Sequence, residues 1–176
     1  MTLPIAAGTY GIDSAHTQLG FSVTHLGISV VQGRFDSFTG SLTVGASLAD
    51  CVLTVDTEMA SVSTGNAGRD GHMHGADFFD VENHPHMTFK STAVSEAGDG
   101  YEVVGDLTLR GVTNSVTLSG TYNGSGVFPV DGSTHFGFSA SGTISRSAFG
   151  VSYGVPMVTD QVELQLEAQF VEPAAE

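Results

Sequence analysis

Positive charge is scarce in this chain. Its 176 residues carry 5 lysines and arginines against 19 acids, a net charge of −14, and Lys90 is the only lysine. Such a surface repels nucleic-acid phosphates and anionic lipid headgroups, which argues against nucleic acid or a charged membrane surface as partner. Cysteine is nearly absent: Cys51 stands alone, so no intramolecular disulfide can form. With no base placed to activate it, Cys51 reads as a small buried thiol. No run approaches the ~20 apolar residues of a membrane-spanning helix. Residues Met1–Gly8 lack a basic leader and a long apolar core, so a signal peptide is not expected and a cytoplasmic location follows. Catalytic signatures are missing too. There is no Gly-x-Ser-x-Gly elbow, phosphate-binding loop or dinucleotide fingerprint. Ser22, His25 and Ser29 lie close in sequence without a triad pattern. The chain is therefore not expected to be an enzyme or to require a cofactor.

What is present is alternation. Val162, Leu164, Leu166, Ala168 and Phe170 are interleaved with Glu163, Gln165, Glu167 and Gln169. Phe136, Phe138, Ala140, Gly142 and Ile144 alternate with small or polar residues in the same way. A strict period of two means a strand with one dry and one wet face, and sheets covered on one face are as a rule antiparallel. The pattern predicts strands near 8–13, 19–25, 30–44 (long, or a bent pair), 51–59, 86–94, 101–110, 112–122, 134–145 and 161–171. A glycine-rich loop follows over 123–132, and a frayed tail over Pro173–Glu176. Between Thr64 and Pro85 the rhythm breaks into a long irregular segment with a helical turn or two near Ala67–His74. A loop of that length has a purpose such as a lid or a cap on a barrel end. Eight or nine strands joined as hairpins fit one all-β domain over 1–176, with its ordered core at about 8–171. A closed antiparallel barrel removes exposed edges, and a two-sheet sandwich is the rival arrangement.

Several inward positions are small: Gly33, Gly40, Ala93, Gly105, Gly120, Ala140, Gly142 and Ala168. An eight-stranded barrel is at the size where side chains either just fill the bore or leave room for one small ligand. The small positions favour a hollow bore, unless aromatic rings fill the space beside each glycine. Arg34, Lys90 and Arg110 have outward parity. Only Arg146, at a strand end, and Arg69, in the long loop, are placed to reach a mouth. A charged headgroup deep in the bore would go unpaired at high cost, so the ligand expected is long and apolar with its polar end at an opening.

Particular stretches then stand out. They are Tyr10-Gly11-Ile12-Asp13-Ser14-Ala15-His16, Phe21-Ser22-Val23-Thr24-His25-Leu26-Gly27 and Val31-Gln32-Gly33-Arg34-Phe35. Next come Arg69-Asp70-Gly71-His72-Met73, Asp77-Phe78-Phe79-Asp80-Val81 and Met87-Thr88-Phe89-Lys90-Ser91. The last are Gly105-Asp106-Leu107-Thr108-Leu109-Arg110-Gly111-Val112-Thr113 and Ile144-Ser145-Arg146-Ser147-Ala148-Phe149-Gly150. Together, over about Tyr10–Phe170, they resemble the YceI-like, polyisoprenoid-binding family. The resemblance implies a lipocalin-like, eight-stranded antiparallel barrel with an elongated apolar pocket. It also implies binding of an isoprenoid chain, such as a polyprenyl phosphate or quinone tail, or of a related amphiphile. Many relatives carry a secretion leader; none is expected here, unless one was removed ahead of Met1.

The expected ligand contacts are the inward apolar set: Phe21, Val23, Phe38, Leu42, Leu53, Val55, Phe89, Leu107, Leu118, Phe136, Phe138, Ile144, Phe149, Leu164 and Leu166. His25, Arg69 and Arg146 form the expected polar mouth, with His25 otherwise a hydrogen-bonded core residue. A carrier that sequesters or transports the lipid is the leading expectation, with a hydrophobic small molecule as partner, no integral membrane segment and a homodimer left open. The alternative is a metal or small-ligand sensor. His72, His74, His84 and His86 cluster near Asp70, and imidazole and carboxylate are natural ligands for zinc and related ions. The plainer account of these histidines is pairing within the loop. A third class is an interaction protein working through a sheet edge or loop.

Overall fold

Among the described residues, 2–172 of this computed structural model, eleven strands form where apolar and polar residues alternate. They are β1 (Gly8–Ile12), β2 (Gln18–His25), β3 (Ser29–Phe35), β4 (Phe38–Val44), β5 (Val52–Glu58), β6 (Val62–Ser63), β7 (His86–Ala97), β8 (Gly100–Leu109), β9 (Val112–Val127), β10 (Thr134–Ser145) and β11 (Gln161–Val171). One α-helix, α1 (Ala67–His74), and three short 3-10 turns interrupt them. Among the described residues no helix is long and apolar enough to cross a membrane. The expected tail at Pro173–Glu176 lies outside the described residues.

Antiparallel pairing runs β1-β4-β5-β7-β8-β9-β10-β11, and β11 returns to β1, closing eight staves into a barrel. The first two staves are bent. β1 pairs with the end of β11, Gly11 opposite Val171, while β2 pairs with its start, Phe21 opposite Leu164. β4 and β3 follow β1 and β2 in the same way. At the bend one side chain and one main-chain bond replace the lapsed ladder: the Gln169 N–H donates to Thr17 Oγ1 at 2.9 Å, and the Asp13 N–H donates to the Gln169 carbonyl at 2.8 Å.

β9 runs five residues further than the alternation predicts. Gly124–Val127 pair with Thr134–Gly137 across a bulge at Asn123, so ladder bonds from β10 outweigh the poor strand propensity of glycine and asparagine. Arg110 also departs from its expected place. It is not on the outer face of a strand but in the β8–β9 turn at φ 51°, followed by Gly111 at φ 74°.

Two apolar clusters divide the interior. At one end Tyr10, Leu42, Val44, Leu48, Cys51, Phe136 and Phe170, with Leu3 from the N-terminal segment, pack into a plug. Phe136 stacks on Phe170 at 6.0 Å and meets Tyr10 edge-on at 4.7 Å, geometries that aromatic pairs prefer. Buried Leu3 shows that the ordered core begins ahead of β1. At the other end the 64–85 segment folds over the opening. An eight-residue helix is too short to hold alone. α1 is fixed by an Asn66 N-cap on the Arg69 N–H, and Met73, Phe78 and Phe79 pack into the cluster below. Arg110 ties this lid to the barrel, donating to the carbonyls of Phe78 at 3.1 Å and Gly150 at 2.9 Å.

Candidate functional site

Between plug and lid the barrel holds a cavity of about 460 Å³. All but six of its lining residues are apolar; the exceptions are His25, Thr57, Thr64, Arg69, His72 and Arg146. His25, Arg69 and His72 are also exposed, so the cavity reaches solvent beside them. The opposite side ends at Leu53, which touches both the cavity and the plug.

Exposure marks the hollow independently. Phe21, Val23, Leu53, Val55, Phe89, Leu164 and Leu166 face inward yet are only half-buried, because empty bore lies beside them. In the plug, Phe136 and Phe170 keep only 2% and 3% of their surface. The glycines act indirectly. A Cβ at Gly33 would overlap the Phe21 ring, one at Gly105 the Phe89 ring, and one at Gly142 would meet Leu118 Cδ2 at 2.7 Å. Each large side chain folds flat onto a glycine of the neighbouring strand. The rings do fill the space at the glycines, and the vacancy appears where they would otherwise project.

Of the fifteen expected contacts, Phe21, Val23, Leu53, Val55, Phe89, Leu107, Leu118, Ile144, Leu164 and Leu166 line the cavity. Phe38, Leu42, Phe136, Phe138 and Phe149 do not. Leu42 and Phe136 belong to the plug and Phe138 packs on it; Phe149 is 2% exposed in the cluster beneath the lid, and Phe38 is buried outside the lining. Parity along a strand gives the face of a residue but not its depth. Conversely Phe35, Met59, Met73, Phe78, Phe79, Met87, Val151 and Val158, which lie outside the expected contact set, line the cavity. Met73, Phe78 and Phe79 carried a usable signal, as large apolar residues in the otherwise polar 64–85 segment.

All three residues of the expected mouth touch the cavity. His25 is exposed at the end of β2 rather than a core residue. Arg69 is held by Thr64, donating from Nε to Oγ1 at 2.7 Å and from Nη2 to the carbonyl at 2.9 Å. Arg146 is 6% exposed, and its hydrogen bonds go to main-chain carbonyls. Its Nε donates to the Thr159 carbonyl at 2.9 Å, Nη1 to those of Val151 and Tyr153 at 3.1 and 2.9 Å, and Nη2 to that of Val158 at 2.9 Å. One guanidinium thus fixes the whole 151–159 loop beside the opening, using four of its five N–H donors. Burial draws the Arg146 pKa down from the ordinary arginine value, against the charge of Asp160. Asp160 accepts hydrogen bonds from the Ser145 hydroxyl at 2.5 Å and the Ser147 N–H at 2.8 Å, which hold its carboxyl below the usual carboxylate range.

The histidine cluster disperses. His72 pairs with Asp77 at 2.9 Å and His86 with Asp56 at 2.6 Å, while His84 lies 4.0 Å from Asp80. His74 Nε2 is buried without a hydrogen-bond partner among the described residues. Among the described residues no three histidine, cysteine or acidic side chains converge where an ion could sit.

Known proteins show the same construction. A UPF0312 protein of Yersinia pestis (strain Pestoides F) is 39% identical over 171 residues, covering 94% of this chain and 88% of that protein. The crystal structure of Burkholderia cenocepacia BcnA superposes with a TM-score of 0.80 at 26% identity, covering 90% of this chain and 98% of BcnA. A polyisoprenoid binding domain from Saccharophagus degradans shares the fold at a TM-score of 0.67 and 17% identity, over 93% of this chain and 98% of that domain. The model of the YceI-like domain matches residues 10–170. By that match and these relatives, the chain belongs to the YceI-like family.

Proposed function

We propose that the chain is a carrier that holds an amphiphile with a long apolar tail, a polyisoprenoid, isoprenoid quinone or similar lipid. The tail occupies the bore, and the polar end sits at the mouth near His25, Arg69 and His72. The observation that carries this reading is the size of the apolar vacancy. An apolar space of about 460 Å³ leaves its lining without the dispersion contacts that a filled core supplies. A fold that serves only its own stability would close such a space. An apolar guest restores the lost contacts, at roughly 0.8 kcal/mol per buried CH₂.

The buried polar groups fit the same reading. Arg146 has most of its donors committed to main-chain carbonyls, so it is not free to draw a headgroup deep inside. Exposed Arg69 and the two histidines offer donors only at the opening, where a headgroup keeps its water. The Saccharophagus degradans domain described as polyisoprenoid binding shares the barrel; the cavity in this chain supports the ligand class. Binding needs neither turnover nor a cofactor.

Native mass spectrometry of protein purified from its own host tests the proposal. An apolar adduct released by collisional activation is expected. A metal adduct, or a bare mass after detergent-free purification, argues against the carrier.

A further inference from the structure

The end of the barrel that bears the mouth also bears an unusual surface. At the β2–β3 tip, Leu26, Ile28 and Val30 are 55%, 83% and 63% exposed, and in the adjoining loop Tyr153, Val155 and Met157 are similarly open. The two segments are joined. The Leu26 N–H donates to the Met157 carbonyl at 2.6 Å, the Thr159 N–H donates to the Thr24 carbonyl at 2.9 Å, and His25 bridges Val158. Both belong to the cavity wall as well, since His25, Val31, Val151 and Val158 line it. Scattered exposed apolar side chains are ordinary, but a contiguous group rimming an apolar cavity marks a contact surface.

Two further observations separate this surface from incidental exposure. Neither Thr24–Gly33 nor Val151–Thr159 contains a charged side chain, in a chain of net charge −14. The tip is also strained in a particular way. Leu26 and Gly27 have φ of 52° and 70°, and the Ile28 N–H returns to the His25 carbonyl at 3.1 Å, the geometry of a type I′ turn whose first central position suits asparagine, aspartate or glycine. A leucine held in the left-handed region and pointed at solvent serves neither the turn nor the core. The opposing loop is not free to fold its apolar residues away, because Arg146 grips four of its carbonyls.

We propose that these six residues form an apolar collar by which the mouth seats on an uncharged or zwitterionic lipid bilayer, so that a tail passes from bilayer to bore without crossing water. The inference rests on the carrier reading for its purpose, while the seating itself does not depend on it. The acidic remainder of the surface favours this one orientation. The lid beside the collar carries Asp70, Asp77, Asp80 and Glu82 against the single cation Arg69, so anionic bilayers repel it and neutral ones do not. A membrane-surface helix binds through buried apolar area plus charge attraction; here the apolar tips act alone, and contact is expected to be brief and insensitive to salt. A second exposed apolar group, Val127, Phe128 and Val130, lies in the β9–β10 tip beyond the plug, next to Asp131 and away from the cavity lining. It supplies a control.

The test follows an NBD-labelled geranylgeranyl probe moving from dioleoylphosphatidylcholine vesicles to the protein, alongside co-flotation with the same vesicles. Wild type and Val130→Asp are expected to co-float and to take up probe at a rate proportional to vesicle concentration. The Ile28→Asp/Val155→Asp double variant is expected to lose co-flotation and to slow by at least about tenfold, while binding probe added from solution as wild type does. Vesicles of dioleoylphosphatidylglycerol are expected to give the slower rate with every variant. Unaltered transfer in the double variant, with binding from solution intact, overturns the collar and leaves the carrier standing. Loss of binding from solution in wild type, with co-flotation retained, overturns the carrier and supports the collar. Sedimentation showing a wild-type dimer that the double variant splits overturns the collar in favour of a second copy of the chain.

Discussion

Phe21 lies flat across Gly33 on the paired strand, so close that a Cβ at position 33 would overlap its ring. This contact opens the bore, because the ring takes up wall space instead of lumen. Gly33→Val is therefore expected to swing Phe21 inward. Overpacking costs about 1–3 kcal/mol of stability, read from the urea midpoint. Affinity for a long-tailed probe is expected to fall by at least about tenfold. Phe21→Ala in the Gly33→Val background should return capacity without restoring stability, since the cavity enlarges as the wall loses its ring.

Arg146 is the next sensitive position. Arg146→Met strands four carbonyls that it now satisfies, and each buried unsatisfied group costs about 1–3 kcal/mol. Water entering through the loosened loop offsets part of this, so a loss on the order of 4 kcal/mol is expected by denaturant titration. Arg146→Lys keeps the charge but offers three donors at a single point, and is expected to recover less than half of the loss. Limited proteolysis should cut first within 151–159 in both variants.

The cavity sets a length limit. A bore of about 460 Å³ closed at Leu53 holds only a finite length of tail. Across a series of probes with one headgroup and growing tails, affinity is expected to rise about fourfold per carbon, from ~0.8 kcal/mol per CH₂. It should level off once the tail fills the bore and further carbons remain in water. A series that keeps rising, or never rises, contradicts a blind bore ending at Leu53.

Much of this architecture is legible in the alternation. β10, β11 and α1 begin and end where the residue pattern places them, because one face of each strand is consistently small or polar and the 64–85 segment breaks the rhythm. Closure follows from pairing successive hairpins. Depth along the bore is not legible: Phe89 and Phe136 share an inward parity, yet one lines the cavity and the other lies in the plug. That difference depends on where Tyr10 and Phe170 arrive, contacts far away in sequence. Nor does the sequence reveal that Arg146 bonds to carbonyls rather than to a headgroup, since backbone acceptors carry no residue-type signature. The apolar residues of the lid stand out in the sequence, but their direction is set by the fold.

Asp160 makes stability pH-dependent with a definite sign. Hydrogen bonds from Ser145 and Ser147 hold its folded pKa below the ordinary value, so the folded state binds the proton less readily than the unfolded one. The stabilisation is present above the unfolded carboxylate value, ~3.9, and is lost as pH falls through the lowered folded value. Asp160→Asn is expected to be less stable than wild type near neutrality and to show a shallower acid limb, the two curves converging as pH falls. Parallel curves throughout would mean that Asp160 contributes nothing through its charge.

The most direct measurement of the central claim is a fluorescence titration of an NBD-labelled geranylgeranyl probe into wild type and Val55→Trp, each with a far-ultraviolet circular dichroism spectrum. Val55 lines the cavity on β5, and an indole there occupies the bore while leaving the outer face and the mouth unchanged. Wild type is expected to saturate at one probe per chain, and Val55→Trp to bind at least about tenfold more weakly with the same spectrum. Equal affinity in the two proteins, or no saturable uptake by wild type, would contradict a hollow barrel that takes an apolar tail.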